Sequence, residues 1–292
     1  MIYLFELAKI KHMKILKNKT NIKSFSKGLF LIIFSFLFLN ACKKSESGTN
    51  SGTGIFINYT ATAPNCLVST ISGAMSGSCT YDNVNRIIET KFNYDSMKVT
   101  YTYKGNTIIK NESYLFPDGS KFVNSTTSYL NLSGLIEKST QIYNNGETTV
   151  NTNYIYNGAG YLVRELITSI YKSPNDTSTY KSYTGKSYVY ENENQTKEYN
   201  LSIDNQGIVT DSTLSTSTVY DLKLPGRIET WTAWMDRTGK ANKNEIKSET
   251  NYDSQGSTTE NYTYVIGANG YPSSMNITGN NNRSINLQWT CK

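Results

Sequence analysis

Lys98-Val99-Thr100-Tyr101-Thr102-Tyr103-Lys104-Gly105-Asn106-Thr107 sets the pattern for most of this chain. Val99, Tyr101 and Tyr103 fall on one face of an extended strand, and Lys98, Thr100 and Thr102 fall on the other. Lys104-Gly105-Asn106 then reads as a hairpin turn between alternating segments. The same alternation returns downstream, where Thr148, Val150, Thr152, Tyr154 and Tyr156 share one face. Tyrosine and threonine fit a pleated, half-buried surface better than a helix. No stretch shows convincing apolar spacing at i, i+3, i+4 and i+7.

Turn chemistry cuts the chain into hairpins. Besides Lys104-Gly105-Asn106, the runs Pro117-Asp118-Gly119 and Asn144-Asn145-Gly146 separate alternating segments, and Ser173-Pro174-Asn175-Asp176 leads into further long hairpins, one of them around Asp236–Gly239. The spacing predicts strands over 98–103, 107–116, 120–130, 135–143, 147–156 and 161–171. The expected fold is all-β: an antiparallel up-and-down meander of long hairpins forming a curved, many-stranded open sheet. Residues 65–292 are expected to form one domain. Strands of about ten residues also suit a transmembrane barrel, but the outward faces carry Thr, Lys, Asn and Glu where lipid would require an apolar band.

Residues 1–41 have a different composition. Seven lysines (Lys9, Lys11, Lys14, Lys17, Lys19, Lys23 and Lys27) precede an uncharged apolar run from Leu29 to Leu39. This is the order of a secretory signal, and the run is too short for a membrane-spanning helix. It ends in Leu39-Asn40-Ala41-Cys42, which resembles a lipobox and implies cleavage before Cys42 and lipidation of its thiol. Met13 is a plausible true start. Residues 42–64 then read as the lipidated cysteine and a flexible Ser/Thr/Gly-rich tether.

Cleavage changes the charge argument. Losing seven lysines takes Lys+Arg from 29 to 22, and losing Glu6 takes Asp+Glu from 23 to 22. The mature chain is near neutral, which gives no support to nucleic-acid binding. The one histidine, His12, lies in the same leader. Its loss excludes Ser-His-Asp sites, Cys-His sites and His-ligated zinc. No cofactor or metal site is expected, and no catalytic residue.

A tyrosine followed by an Asx/Gly turn and an apolar residue recurs in degenerate form. Tyr81-Asp82-Asn83-Val84-Asn85-Arg86-Ile87 and Tyr156-Asn157-Gly158-Ala159-Gly160-Tyr161-Leu162 are the fullest copies. Tyr220–Ile228 carries two extra residues, and Tyr252–Gly256 and Ile203–Ile208 are partial. The aromatic would end one strand, the Asp or Asn would cap its own turn, and the Gly would take the left-handed position. These runs resemble the YD repeat of Rhs-type proteins and, more closely, the YD-like β domains of Bacteroidetes envelope lipoproteins. The resemblance implies a curved antiparallel sheet and supplies no catalytic residues.

Of the cysteines beyond Cys42, Cys66 and Cys79 flank a Gly-containing turn and are the favoured disulfide, with Cys291 as the alternative partner. Trp231, Trp234 and Trp289 are candidates for stacking on sugar rings, although core packing suits them better. The expected role is non-enzymatic: a binding or scaffolding module in the cell envelope, held at the outer membrane through Cys42 and meeting a glycan or an envelope protein. The alternative is a surface glycan-binding protein or a carboxylate-dependent glycan hydrolase; Glu229 and Asp236 lie near Trp231 and Trp234, but nothing in their spacing identifies an acid/base pair.

Overall fold

A computed structural model describes residues 66–74, 76–92, 97–115, 120–143, 147–172, 178–228, 238–279 and 282–291. Cys42, its leader and its tether lie outside the described residues, as do Pro117–Gly119, Asn144–Gly146 and Ser173–Asp176. The strands are β1 (Cys66–Gly73), β2 (Gly77–Tyr81), β3 (Ile87–Phe92), β4 (Lys98–Lys104), β5 (Thr107–Leu115) and β6 (Lys121–Leu130). They continue as β7 (Ile136–Tyr143), β8 (Thr148–Tyr156), β9 (Leu162–Lys172), β10 (Thr179–Glu191) and β11 (Asn194–Ile203). The last are β12 (Val209–Pro225), β13 (Asn244–Asp253), β14 (Gly256–Ile266), β15 (Pro272–Thr278) and β16 (Arg283–Cys291). The six strands expected from 98 to 171 match β4–β9 to within one residue at every end.

Each strand pairs antiparallel with its sequence neighbour, and β1 pairs with β16, so the meander closes into a barrel. This corrects the expectation of an open sheet. Seven Cα pairs, from Cys66↔Cys291 to Gly73↔Ile285, make the closing seam. An open meander would leave the N–H and C=O groups along one side of β1 and of β16 as unpaired edges, and closure removes both. Nothing in strand periodicity records this, because the alternation is the same in an open and a closed sheet. Gly73 (φ +101°) lies at the seam so close to the Ser284 carbonyl that a Cβ would collide with it. Ala74 N–H donates to the same carbonyl at 2.9 Å.

The disulfide also differs from the favoured pairing. Cys66 joins Cys291 across the seam, and Cys79 is a buried free thiol. The reason is register: Thr70 lies opposite Ser78 in the β1–β2 hairpin, so Cys66 lies well beyond the level of Cys79, whereas Cys291 faces it directly. Burial pushes the Cys79 thiol up to about 11, with the Thr90 and Tyr81 side chains opposing the shift. It is therefore a core residue with little thiolate character.

The turn reading holds at molecular detail. The Asp82 carboxylate accepts from the Val84 and Arg86 amides, and Asn157 Oδ1 accepts from Ala159 and Tyr161. Asn131 and Asp204 do the same two and four residues onward. The left-handed position is taken by Gly134, Gly160 and Gly207, and by Asn85 (φ 65°) in the first copy. Asparagine tolerates that region better than other side-chain-bearing residues. Tyr220 departs from the expectation, since it lies inside β12 and not at its end.

The tyrosines have a second task. Hairpins such as β1–β2 and β3–β4 are joined by loops at one end of the barrel, called here the far end. At the near end, an aromatic on the second strand of the hairpin ties it to the backbone of the first. Tyr81 donates to Val68 O (2.6 Å), Tyr103 to Ile87 O (2.9 Å) and Tyr156 to Ile136 O (2.7 Å). Tyr220 donates to Gln195 O and Tyr264 to Ile246 O, each at 2.8 Å. On β16 the Trp289 indole N–H donates to Pro272 O at 2.6 Å in the same way. These bonds hold hairpin ends that would otherwise splay, and they satisfy a polar tip on a largely buried ring.

Candidate functional site in the barrel interior

Register assigns every strand residue to the interior or the outer wall. Much of the outer wall is polar: Thr100, Asn111, Ser125, Thr140, Asn151, Thr250, Thr259, Asn276, Asn286 and Gln288 all face outward in paired positions. Outward Glu89 binds Lys91 (2.8 Å) and Lys98 in mid-sheet. Hydrogen bonds from these two lysines hold the Glu89 carboxyl below its ordinary range. Apolar side chains are scattered among the polar ones, with Val123, Ile142, Ile155, Val189, Val219 and Val265 exposed on the same outward face. On β9–β11, Leu201 and Ile203 pack over the bare backbone of Gly185.

The interior has two characters. On β1, β3, β4, β15 and β16 it is apolar, with Val68, Ile71, Val99, Ile277 and Ile285 at most 1 % exposed and Phe92, Met275 and Leu287 beside them. On β9–β14 it is ionisable. Lys186 lies opposite Glu165 and binds Glu198 at 2.6 Å. Ser215 also donates to Glu198, at 3.2 Å. Glu249 lies directly opposite Glu260, and Arg283 grips Glu260 through both terminal nitrogens at 2.8 and 2.7 Å. Tyr262 donates to Glu260 at 3.3 Å, and Asn251 Nδ2 donates to Glu249 at 3.3 Å.

The environment divides the four carboxyls into two kinds. Glu198 and Glu260 have cationic partners in direct contact. Burial pushes Glu165 above the usual carboxylate range, with Lys186 and a hydrogen bond from Tyr188 opposing the shift. Burial also raises Glu249, helped by the charges of Glu198 and Glu260, while Asn251 pulls the other way. Burial alone would lower Lys186, but the contact and charge of Glu198 outweigh it and hold the ammonium protonated. Desolvation of unpaired charge is the common cause.

A third group lines the far end. Tyr114 and Phe122 pair across β5–β6 with ring centroids 6.0 Å apart, and Tyr171 and Tyr180 pair across β9–β10 at 6.5 Å. Tyr143 on β7 lies opposite Thr148 on β8, and Thr148 lies opposite Tyr171. Glu112 lies opposite Asn124 and is bound by Lys110 at 2.6 Å. Asn124 Oδ1 and Thr148 Oγ1 are buried without a hydrogen-bond partner.

Trp289, a stacking candidate from sequence, is a near-end strut whose ring packs on Tyr271 at 4.9 Å. Trp231, Trp234, Glu229 and Asp236 lie outside the described residues. No group of three or more His, Cys, Asp or Glu side chains suited to a metal occurs among the described residues. The interior ionisable group escaped sequence reasoning. A signal was present, because Lys186 has the same parity as Tyr188 and Tyr190, which places it on the face that buries aromatics.

No protein-family model matches the sequence, and no curated protein matches it. Among solved structures, the chain is similar to a porin-like protein from Bacteroides vulgatus ATCC 8482, with TM-score 0.50 and 14 % identity over 76 % of this chain and 98 % of that one. A porin-like protein from Bacteroides uniformis ATCC 8492 has TM-score 0.49 and 16 % identity over the same shares of the two chains. The likeness is one of fold.

Proposed function

We propose that this chain is a non-catalytic binding module of the bacterial cell envelope, tethered through lipidated Cys42, with its ligand held inside the barrel. The observation that carries this reading is the placement of polarity. The outer wall offers mostly Ser, Thr, Asn, Lys and Glu to its surroundings, with exposed Val and Ile residues dispersed among them, whereas a lipid-embedded barrel needs a continuous apolar belt. Glu165, Lys186, Glu198, Glu249, Glu260 and the far-end rings face inward, and barrels of sixteen strands are wide enough to hold a ligand. The Cys66–Cys291 bridge suits an oxidising compartment outside the cytoplasm. The Bacteroides structures of similar fold are described as porin-like, which favours an envelope setting. The tether explains how a barrel with a polar wall stays at a membrane.

Two measurements test this. The 43–292 chain, exported behind an ordinary secretory signal, should stay monodisperse in buffer without detergent and should not raise conductance across planar bilayers. Channel steps would replace this reading with a transmembrane pore. A fatty-acid analogue should label the full chain and fail to label Cys42→Ser.

A further inference from the structure

The far-end collar carries a reading of ligand class that rests on the proposal of an interior binding site. Cross-strand register places Glu112 (β5) opposite Asn124 (β6), Tyr143 (β7) opposite Thr148 (β8), and Thr148 opposite Tyr171 (β9). The Ser125–Ile142 pairing sets Asn124 level with Tyr143. These residues therefore form one inward row across five consecutive strands. Within it Asn124 and Thr148 are each 3 % exposed, and each has a side-chain oxygen with no partner. A buried acceptor left unmade is costly, so native structures rarely keep one without water or a ligand to fill it.

The chemistry of the row narrows the occupant. Asn124 Oδ1 can only accept, so the group it lacks must donate, while the Thr148 hydroxyl can donate or accept. A carboxylate or a fully ionised phosphate brings acceptors only and cannot satisfy Asn124 Oδ1. Glu112 is already bound by Lys110, so the row has no spare negative charge to attract a cation. Around it stand the rings of Tyr114, Phe122, Tyr143, Tyr171 and Tyr180 on the same inner face. Aromatic faces beside hydrogen-bond acceptors, without net charge, match the flat apolar faces and donating hydroxyls of a pyranose ring. Asn124 and Thr148 lie two strand spacings apart, roughly 10 Å, which suits one or two sugar rings.

We propose that this collar is a subsite for an uncharged saccharide, with Asn124 Oδ1 and Thr148 Oγ1 accepting from ring hydroxyls and the collar tyrosines stacking on ring faces.

The test uses the full processed protein, released from its membrane with mild detergent, on an array of neutral mono- to tetrasaccharides, followed by titration of any hit. Neutral sugar binding is expected. Asn124→Leu should weaken it by tenfold or more while leaving the thermal transition unchanged or higher, because removing an unsatisfied acceptor does not harm the empty fold. Thr148→Val, nearly the same in shape, should weaken binding in the same direction without unfolding the barrel. Binding unchanged in both variants overturns the inference. So does an array on which no neutral sugar binds. Capture of a charged solute in place of a sugar, lost in Glu198→Gln, would likewise sink the saccharide subsite yet leave the interior-binding reading standing.

Discussion

The two halves of the barrel interior are built on one backbone scheme and filled with opposite chemistry. Between β15 and β4, through the seam, inward positions hold Ile, Val, Leu, Met and Phe. Between β9 and β14 the equivalent positions hold Glu165, Lys186, Tyr188, Glu198, Glu249 and Glu260. Burial of the first set stabilises the fold at about 25 cal/mol per Å² removed from water. Burial of the second set returns little, because desolvation of each ion offsets most of its attraction to a partner. The seam half therefore carries stability, and the ionisable side adds little to it.

The strongest way to break this contrast is to cut the seam bond. Cys66→Ser with Cys291→Ser frees a loop spanning 225 residues, worth up to about 5 kcal/mol in the chain-entropy treatment. Denaturant titration in oxidising buffer should show that loss, whereas Cys79→Ala should cost far less. Next in size is the seam core. Ile285→Ala, at a fully buried position, should cost about 2–5 kcal/mol. An equal cost at exposed Ile155 on the outer wall would contradict the assignment of faces. Smaller again are the near-end ties. Tyr156→Phe removes one bond to Ile136 O and should cost about 1 kcal/mol, with a similar loss for Tyr103→Phe in the seam half.

The subtlest probe is pH. Glu165 and Glu249 have folded pKa values above their ordinary 4.5, so the fold binds those protons more tightly than the unfolded chain. Their contribution is fully present below the unfolded value and is lost as pH rises through the folded values. Stability should decline with rising pH on that account, and Glu165→Gln with Glu249→Gln should flatten the decline. A slope unchanged in the double variant would show that these carboxyls ionise freely.

Much of the architecture was written locally. Alternation at Val99, Tyr101 and Tyr103 fixed which face each strand buries, since side-chain direction in a strand follows from residue parity alone. The Asx turns at Asp82 and Asn157 were legible because the capping oxygen and its amide targets lie within four residues. The outward Ser, Thr and Asn positions were readable for the same reason. Long-range decisions were not. Whether β1 meets β16 depends on the accumulated twist and coil of sixteen strands, and no segment encodes it by itself. The partner of Cys66 followed from that closure, since Cys291 is adjacent only in a closed sheet. The meeting of Lys186 with Glu198, of Glu249 with Glu260, and of Asn124 with Thr148 across Tyr143 likewise depends on inter-strand register. The sequence by itself thus determined strands, turns and faces, where the governing forces act over a few residues. The tertiary structure alone decided closure, the disulfide and the interior site, where the energy of pairing and desolvation depends on groups far apart along the chain.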